Sequence, residues 1–544
     1  MNETRNETSA TLEPSRTPKK SKKPFILALA AVFILGLGAT VYAMFFNLSP
    51  KDAYFKAEIN SYKALSESVN ETFAISDDLA EKTLEEPSKS TAELGFSVEG
   101  LEAIDPSLAM VKGLIEQVAL KATTQLDPKA AKGSIELNLG VAGTEFIQAE
   151  AYQSDKRTGV NVPLLYDQYL YFNNEDFGKL MTRFDPTYAG PEKLENLVKM
   201  QLDSIKNQEK LNEVSKEYGK FIIENIKEEN VTEGEAEFEG ETYRQLTLKL
   251  SEKEVQELSK KVIDKVQADK ELKDLLIDSM TQSNFLASSS DIKTTMKEDF
   301  EKGLKELENN LDKIKLPDGF KSTILVNDQE LIVKRDVDVK VEVEGEVANI
   351  DFSTHALRED GVVTDGKWEV NVFPENAKDQ DYIKILLELK GEPGNDSIKR
   401  DLTGMFAIAE AGSVSRSANV DVHMSGTPED MKMDFEVTVQ DPTIQPIPPI
   451  KGHFTQKVKD DLENGTYSTS GEFGIEFDAG MGSPVNVVVD YKNKTEFTED
   501  LKFPNLEEKG ENISELSDAE LQEIAAEIQS NIQNFMMQFQ QMPF

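Results

Sequence analysis

The sequence predicts an α+β protein: large curved antiparallel sheets with long helices packed on one face, behind one N-terminal transmembrane helix. Three observations carry this. Alternating apolar and polar residues fill most of the chain after residue 316. Two stretches, about 191–226 and 252–313, instead space their apolar residues three and four apart, the period of an amphipathic helix. Residues 25–46, Phe25 through Phe46, form a run without a single charge.

Each element follows in chain order. Residues 1–23 are polar and end in Lys19, Lys20, Lys22 and Lys23, a net positive tail. The apolar run behind them would span about 33 Å as a helix, enough for the hydrocarbon core of a bilayer. A basic flank before the helix predicts a cytoplasmic tail and an extracytoplasmic remainder, residues 48–544, in a single-pass cell-membrane protein. The competing reading is a signal peptide cleaved after Ala43, although the run is longer than a usual signal core. Residues 48–90 read as a membrane-proximal helical stalk.

Residues 91–315 read as a mixed strand and helix half. Ala92–Val98, Ser134–Val141 and Glu145–Tyr152 alternate as strands, with a helix expected over Leu108–Ala122. Leu164–Phe172 is an aromatic-rich strand, Pro191 opens the long helix, and Glu241–Leu250 is again a strand. Residues 316–544 read as a strand-rich half with a C-terminal helix. Its strands are separated by turn signals such as Asp360-Gly361 and Asn464-Gly465, and Thr443–Ile450 reads as a rigid Pro-rich connection. One echo joins the halves: Leu250–Leu258 resembles Leu516–Ile524, each with a capping box, Ser251 with Glu254 and Ser517 with Glu520. This is either an ancestral duplication or two independently good helix starts.

Composition excludes several functions. The 544 residues hold 60 Lys and Arg against 100 Asp and Glu, a net charge of −40, which repels nucleic-acid phosphates. No cysteine is present, so disulfides, thiol catalysis and iron–sulfur ligation are out of reach. His355, His423 and His453 are the only histidines and lack ligand-spaced partners, so no metal or cofactor is expected. No nucleophile elbow, phosphate loop or calcium loop occurs, so no catalytic residue is assigned.

Two groups stand out as candidate sites. In Tyr166, Tyr169, Tyr171, Phe172 and Phe177 both faces of one strand carry aromatic groups, so the second face must meet helices, a partner or an apolar ligand. The tail Phe535, Met536, Met537 and Phe539 ends a helix in adaptable apolar side chains, suited to its own sheet or to a partner.

Lys19–Lys23, the run 25–46, Leu164–Met181 and Leu516–Phe535 together resemble a family of single-pass membrane-anchored exoproteins of Bacillus-like Gram-positive bacteria with no assigned activity. At the level of fold, a sheet curled over long helices is similar to the cradles of Lol-type and mycobacterial lipid-binding lipoproteins. What that resemblance implies is an envelope protein holding a lipid between sheet and helices. This chain departs from it in having no cysteine to lipidate. The expected function is therefore non-enzymatic binding at the cell envelope, of a lipid, another apolar ligand or an envelope protein, with the bilayer itself a partner through residues 25–46. The alternatives are a structural or regulatory ectodomain with a filled core and, more remotely, a carboxylate-based hydrolase.

Overall fold

Strands dominate this chain because long stretches alternate with a period of two, and antiparallel pairing buries such alternation with the least irregular backbone. The computed structural model describes residues 49–540, apart from 75, 189, 283–289, 344, 360–361, 376–379, 393–396 and 479–483. Helix α1 (Pro50–Thr72) begins at Ser49, whose hydroxyl accepts the Asp52 amide at 3.1 Å, and α2 (Asp77–Glu85) follows. Next come β1 (Ser88–Glu99), the short helices α3 (Leu101–Ile104) and α4 (Ala109–Ile115), then β2 (Val118–Asp127), β3 (Lys132–Val141), β4 (Thr144–Gln153), β5 (Arg157–Val162) and β6 (Tyr166–Asn173). Helices α5 (Phe177–Phe184) and α6 (Leu197–Glu224) lead to the hairpin β7 (Val231–Phe238) and β8 (Glu241–Leu250). Helices α7 (Glu252–Ala268), α8 (Lys270–Gln282) and α9 (Ser290–Asn310) precede β9 (Ile314–Lys315).

A long meander then runs through β10 (Phe320–Val326), β11 (Ile332–Val343), β12 (Glu346–Glu359), β13 (Val362–Pro374), β14 (Tyr382–Gly391) and β15 (Ile398–Glu410). It continues through β16 (Ser413–Thr427), β17 (Asp430–Gln440), β18 (Ile450–Asp461), β19 (Thr466–Asp478) and β20 (Pro484–Phe497). The chain closes with α10 (Leu506–Lys509), β21 (Gly510–Asn512) and α11 (Asp518–Gln540).

All 21 strands join in one sheet. From β7 the ladder passes through β8 to β10 and then follows chain order to β20. There it crosses to β1, Ser88 opposite Phe497 through Glu99 opposite Asn486, and continues to β6. The three-residue pairing of β21 with β6 is parallel; every other pairing is antiparallel.

Helix α1 lies across the strands on one face. Tyr54, Phe55 and Ala57 bury against Leu246, Leu248 and Leu250 of β8, Ile324 of β10 and Val337 and Val339 of β11, joined by Val255 and Leu258 of α7. The Tyr54 hydroxyl hydrogen-bonds the Ser322 hydroxyl at 2.7 Å, and the Lys51 ammonium donates to the Ile226 carbonyl at 2.6 Å. Burial, with the Glu58 carboxylate beside it, holds the Tyr54 phenol well above its ordinary pKa. Glu58 itself pairs with the Arg335 guanidinium, both side chains less than one sixth exposed. At the far end of α1 the Arg400 guanidinium of β15 donates to the Thr72 hydroxyl at 2.6 Å. The 18 residues between Tyr54 and Thr72 make about 27 Å of helix, matching about 24 Å for the five strand spacings from β10 to β15.

Several expectations are corrected here. The expected α+β fold of curved sheets with helices layered on one face, in two duplicated halves, gives way to one sheet, only partly covered. β1 is hydrogen-bonded along its whole length to β20, so the expected halves share one ladder. Both capping boxes are present, the Ser251 and Ser517 amides donating to Glu254 and Glu520 at 3.0 and 2.7 Å, but they mark helix starts in unlike surroundings. The helix expected over Leu108–Ala122 stops at Ile115, because Val118, Leu120 and Ala122 follow the two-residue period and enter β2.

The expected single-pass anchor, residues 25–46, lies outside the described residues. Among those described, no helix is long and apolar enough to cross a membrane. The single-pass topology and the cell-membrane placement of residues 48–544 are accordingly withdrawn.

Glu58→Ala leaves Arg335 buried without its counter-charge and is expected to cost about 3–5 kcal/mol in urea unfolding. Glu58→Met together with Arg335→Met removes both charges and is expected to recover most of that loss.

Candidate functional site

Pairing residues point the same way, so the register assigns every strand side chain to one of two faces. On one face stand Trp368, Val370 and Val372 of β13, Ile383, Ile385, Leu387 and Leu389 of β14, and Leu402, Phe406 and Ile408 of β15. Val420, Val422 and Met424 of β16, Met433, Phe435 and Val437 of β17 and Phe454 of β18 extend it. Phe473 and Phe477 of β19, Val487 and Val489 of β20 and Leu94 and Phe96 of β1 complete it. Between β13 and β20 the registered positions on this face carry a carboxylate only at two strand ends, Glu410 and Asp460. In a chain holding 100 acidic residues that is a strong segregation.

Glycines flatten parts of this face. Phe435 and Phe473 stack at 6.2 Å across Gly452, where an added Cβ would lie 2.3 Å from the Phe435 ring. Phe454 and Tyr491 stack at 6.1 Å on either side of Gly471. At Gly404 of β15 a Cβ would meet nothing closer than 3.8 Å, so a shallow furrow runs beside Leu387 and Phe406.

Helices cover one end of this face and leave the other open. Phe73, just past α1, packs on Ile398, Met424 and Met431 near the covered end, and Lys82 of α2 lies over the Phe497 ring. Toward the opposite strand ends Ile385 is 50% exposed, Phe406 41% and Phe473 40%, with Phe477 and Val420 similar. Exposed Ile444 and Ile447 of the Pro-rich connection flank the same end.

The other face is ionic. Lys367 and Lys384 both reach Glu369, at 2.8 and 2.9 Å, and Asn371 donates to it at 2.7 Å. Burial raises the Glu369 pKa, but these donors outweigh it and hold the carboxyl at about 2. Lys390 bonds Asp365, which also meets His355 at 3.2 Å. From β8 to β20 every lysine in the ladder lies on this face, whereas Arg244, Arg335, Arg358, Arg400 and Arg416 lie on the apolar one. A guanidinium is less strongly hydrated than an ammonium and is better tolerated beside apolar groups.

The sequence-predicted residues are placed elsewhere. Tyr169 and Tyr171 bury with Tyr152 and Leu506 in a small cluster on the charged side of β4–β6, against which Phe503 packs. The Tyr166 hydroxyl donates to Glu511 at 2.9 Å and that of Tyr169 to Glu150. Phe172 and Phe177 meet ring to ring at 5.7 Å, and Tyr188 stands edge-on to Phe177 at 6.2 Å. Polypeptide therefore covers these aromatics. Met536 and Met537 of α11 are about half exposed, Phe535 lies on the same helix, and the Phe539 side chain is outside the described residues. His355, His423 and His453 fall on β12, β16 and β18; His423 and His453 stand in one row on either side of Asp434, and His355 lies four strands from β16. Among the described residues no group of three His, Asp or Glu forms a metal site.

The apolar face and its arginines were missed by sequence reading. The signal was present as parity: after residue 330, lysines and arginines fall on opposite phases of the two-residue alternation.

No family model matches the chain, and no curated protein does. Among solved structures it is similar to OccK2 (OpdF) of Pseudomonas aeruginosa, at 7% identity over 76% of this chain and 97% of that one, with a TM-score of 0.17. The CymD monoaromatic hydrocarbon channel matches at 8% over 76% and 89%, TM-score 0.14, and OccK9 (OpdG) of Pseudomonas aeruginosa at 7% over 76% and 98%, TM-score 0.14. Similarity at this level carries no argument about fold or activity.

Because the folded-state pKa of Glu369 is depressed, its stabilisation is complete above about pH 4.5 and is lost as pH falls towards 2. Glu369→Gln is expected to cost about 2 kcal/mol at pH 7. The gap to the unaltered protein should close as unfolding is measured down to about pH 2.

Proposed function

We propose that this chain acts by non-covalent binding of an acyl-chain lipid on the open apolar face of its sheet. The observation that carries the reading is the exposure of Ile385, Leu387, Phe406, Val420, Phe473 and Phe477 on one face, opposite a face of ion pairs. Exposed apolar side chains scattered singly need no explanation, but a contiguous patch marks a binding surface. Here seven strand spacings separate β13 from β20, about 34 Å of apolar width. Flexible hydrocarbon suits such a surface, because its furrows between strands are long, shallow and free of polar partners. No enzymatic role is proposed, since among the described residues the two carboxylates registered on this face, Glu410 and Asp460, stand at opposite strand ends and form no pair.

Binding releases about 25 cal/mol per Å² of apolar area removed from water, so one chain covering a few hundred Å² gains several kcal/mol before ordering costs. Native mass spectrometry of the full chain is expected to retain lipid. Uptake of a fluorescent fatty-acid methyl ester is expected to fall at least tenfold in Ile385→Glu with Phe406→Glu, with urea stability little changed. A clean apo mass with no ester uptake overturns the reading. So does a dimer that blocks uptake, or uptake seen only after residues 1–48 are removed, which would identify a second copy or the chain's own apolar run as the cover.

A further inference from the structure

The two ends of α6 meet the sheet at places far apart along the ladder, and both contacts lie on the apolar face. At its start, the Leu197 amide donates to the Gln153 side-chain oxygen of β4 at 2.6 Å, and Val198 sits over Gly133 of β3, 2.7 Å from where a Cβ would stand. Gly133 pairs with Leu126 of β2 and with Gln153, and the register running from Leu94 through Leu120 keeps all three on the apolar side. At its end, Ile223, with Ile226 just past the helix, enters the core over Leu246, Leu248 and Leu250 of β8.

Helix geometry bounds the distance between these places. From Val198 to Ile223 the helix spans about 38 Å. Along the ladder β8 and β3 are fourteen strand spacings apart, about 67 Å. A straight rod can touch one face of a wider sheet at both places only where the sheet curls towards that face. The apolar face is therefore the inside of a trough, and α6 ties its two walls together.

Half-exposed apolar residues continue round this inside. Beyond Phe406, Val420, Phe473 and Phe477 come Ile135 and Leu137 of β3, both 39% exposed, and Val160 of β5, 46% exposed. Ile135 and Leu137 pair with Ala151 and Ala149 of β4, and Ala151 pairs with Val160, so small side chains deepen the wall there. From β14 to β5 the ladder makes eleven spacings, about 53 Å of arc. Carbons of touching hydrocarbon chains lie about 4 Å apart, close to one strand spacing, so a single chain fills one furrow and leaves most of the arc bare. A concave wall is not complementary to itself, which rules out a symmetric pairing of two copies through it.

We propose that the trough takes several acyl chains abreast, the first beside Gly404 between β14 and β15 and others round to the wall formed by β3–β5. This rests on the acyl-binding reading above and adds the number of chains and the surface that holds them.

In the test, the full chain is loaded with a pyrene-labelled fatty-acid methyl ester and freed of unbound ester by gel filtration. Native mass spectrometry is expected to count more than one ester per chain, and the complex should show excimer emission, which needs two pyrenes in contact. Leu137→Glu with Val160→Glu is expected to lower the count and to leave the affinity for the first ester within about twofold, because the altered wall is far from β14 and β15. A single ester per chain at saturation overturns the proposal. So does a count above one with monomer emission alone, or a count that Leu137→Glu with Val160→Glu leaves unchanged. The acyl-binding reading survives each of these outcomes; it falls only where the unaltered protein takes up no ester.

Discussion

An unbroken antiparallel register is the constraint on which the rest of this molecule depends. Side chains alternate strictly along a strand, so each ladder carries the facing of one strand to the next. A one-residue slip at any strand would send Phe, Ile and Val to the charged side and Lys and Glu to the apolar one. Bulges occur near strand ends, at Leu357/Arg358 and Ile408/Ala409 for instance, so the central positions keep their phase. Glycines do the remaining work where aromatic rings from alternate strands must pass over an intervening one, as Phe435 and Phe473 do at Gly452.

The two faces solve different problems. The charged face satisfies itself: Glu369 with its two lysines and Asp365 with Lys390 and His355 form cross-strand networks that need no second layer. The apolar face cannot do the same. Where α1, α7 and the end of α6 lie on β8–β12 it becomes an ordinary core. Beyond β13 it is shielded at one end by α1, Phe73 and α2 and open at the other. That division, a clamped end beside an uncovered surface, is what makes binding the reading the geometry supports best.

Much of the strand content was legible in the sequence, and the reason is local. Alternation in Lys432–Val439 or Thr466–Phe477 is visible without any partner, and the Ser251 and Ser517 caps need only their own first turn. Strand-to-strand order was not legible. Nothing in residues 88–99 announces that their partner lies at 484–497, because that pairing is selected by which ladder completes the apolar face. Leu108–Ala122 was misread for a related reason: short apolar runs satisfy either period until a neighbouring strand arrives. The aromatic cluster at Tyr166–Phe177 drew attention by composition, yet residues 503–511 and Tyr188 cover it.

By itself the sequence determined the acidity of the chain, the absence of thiol chemistry, the helix caps and which residues alternate, since each of these is a property of neighbours in the chain. Only the tertiary structure decided that the strands share one sheet and that lysines and arginines part to opposite faces. Those facts depend on contacts between residues far apart in the chain. The free energy of such contacts comes from burial and desolvation, and these exist only once the ladder has formed.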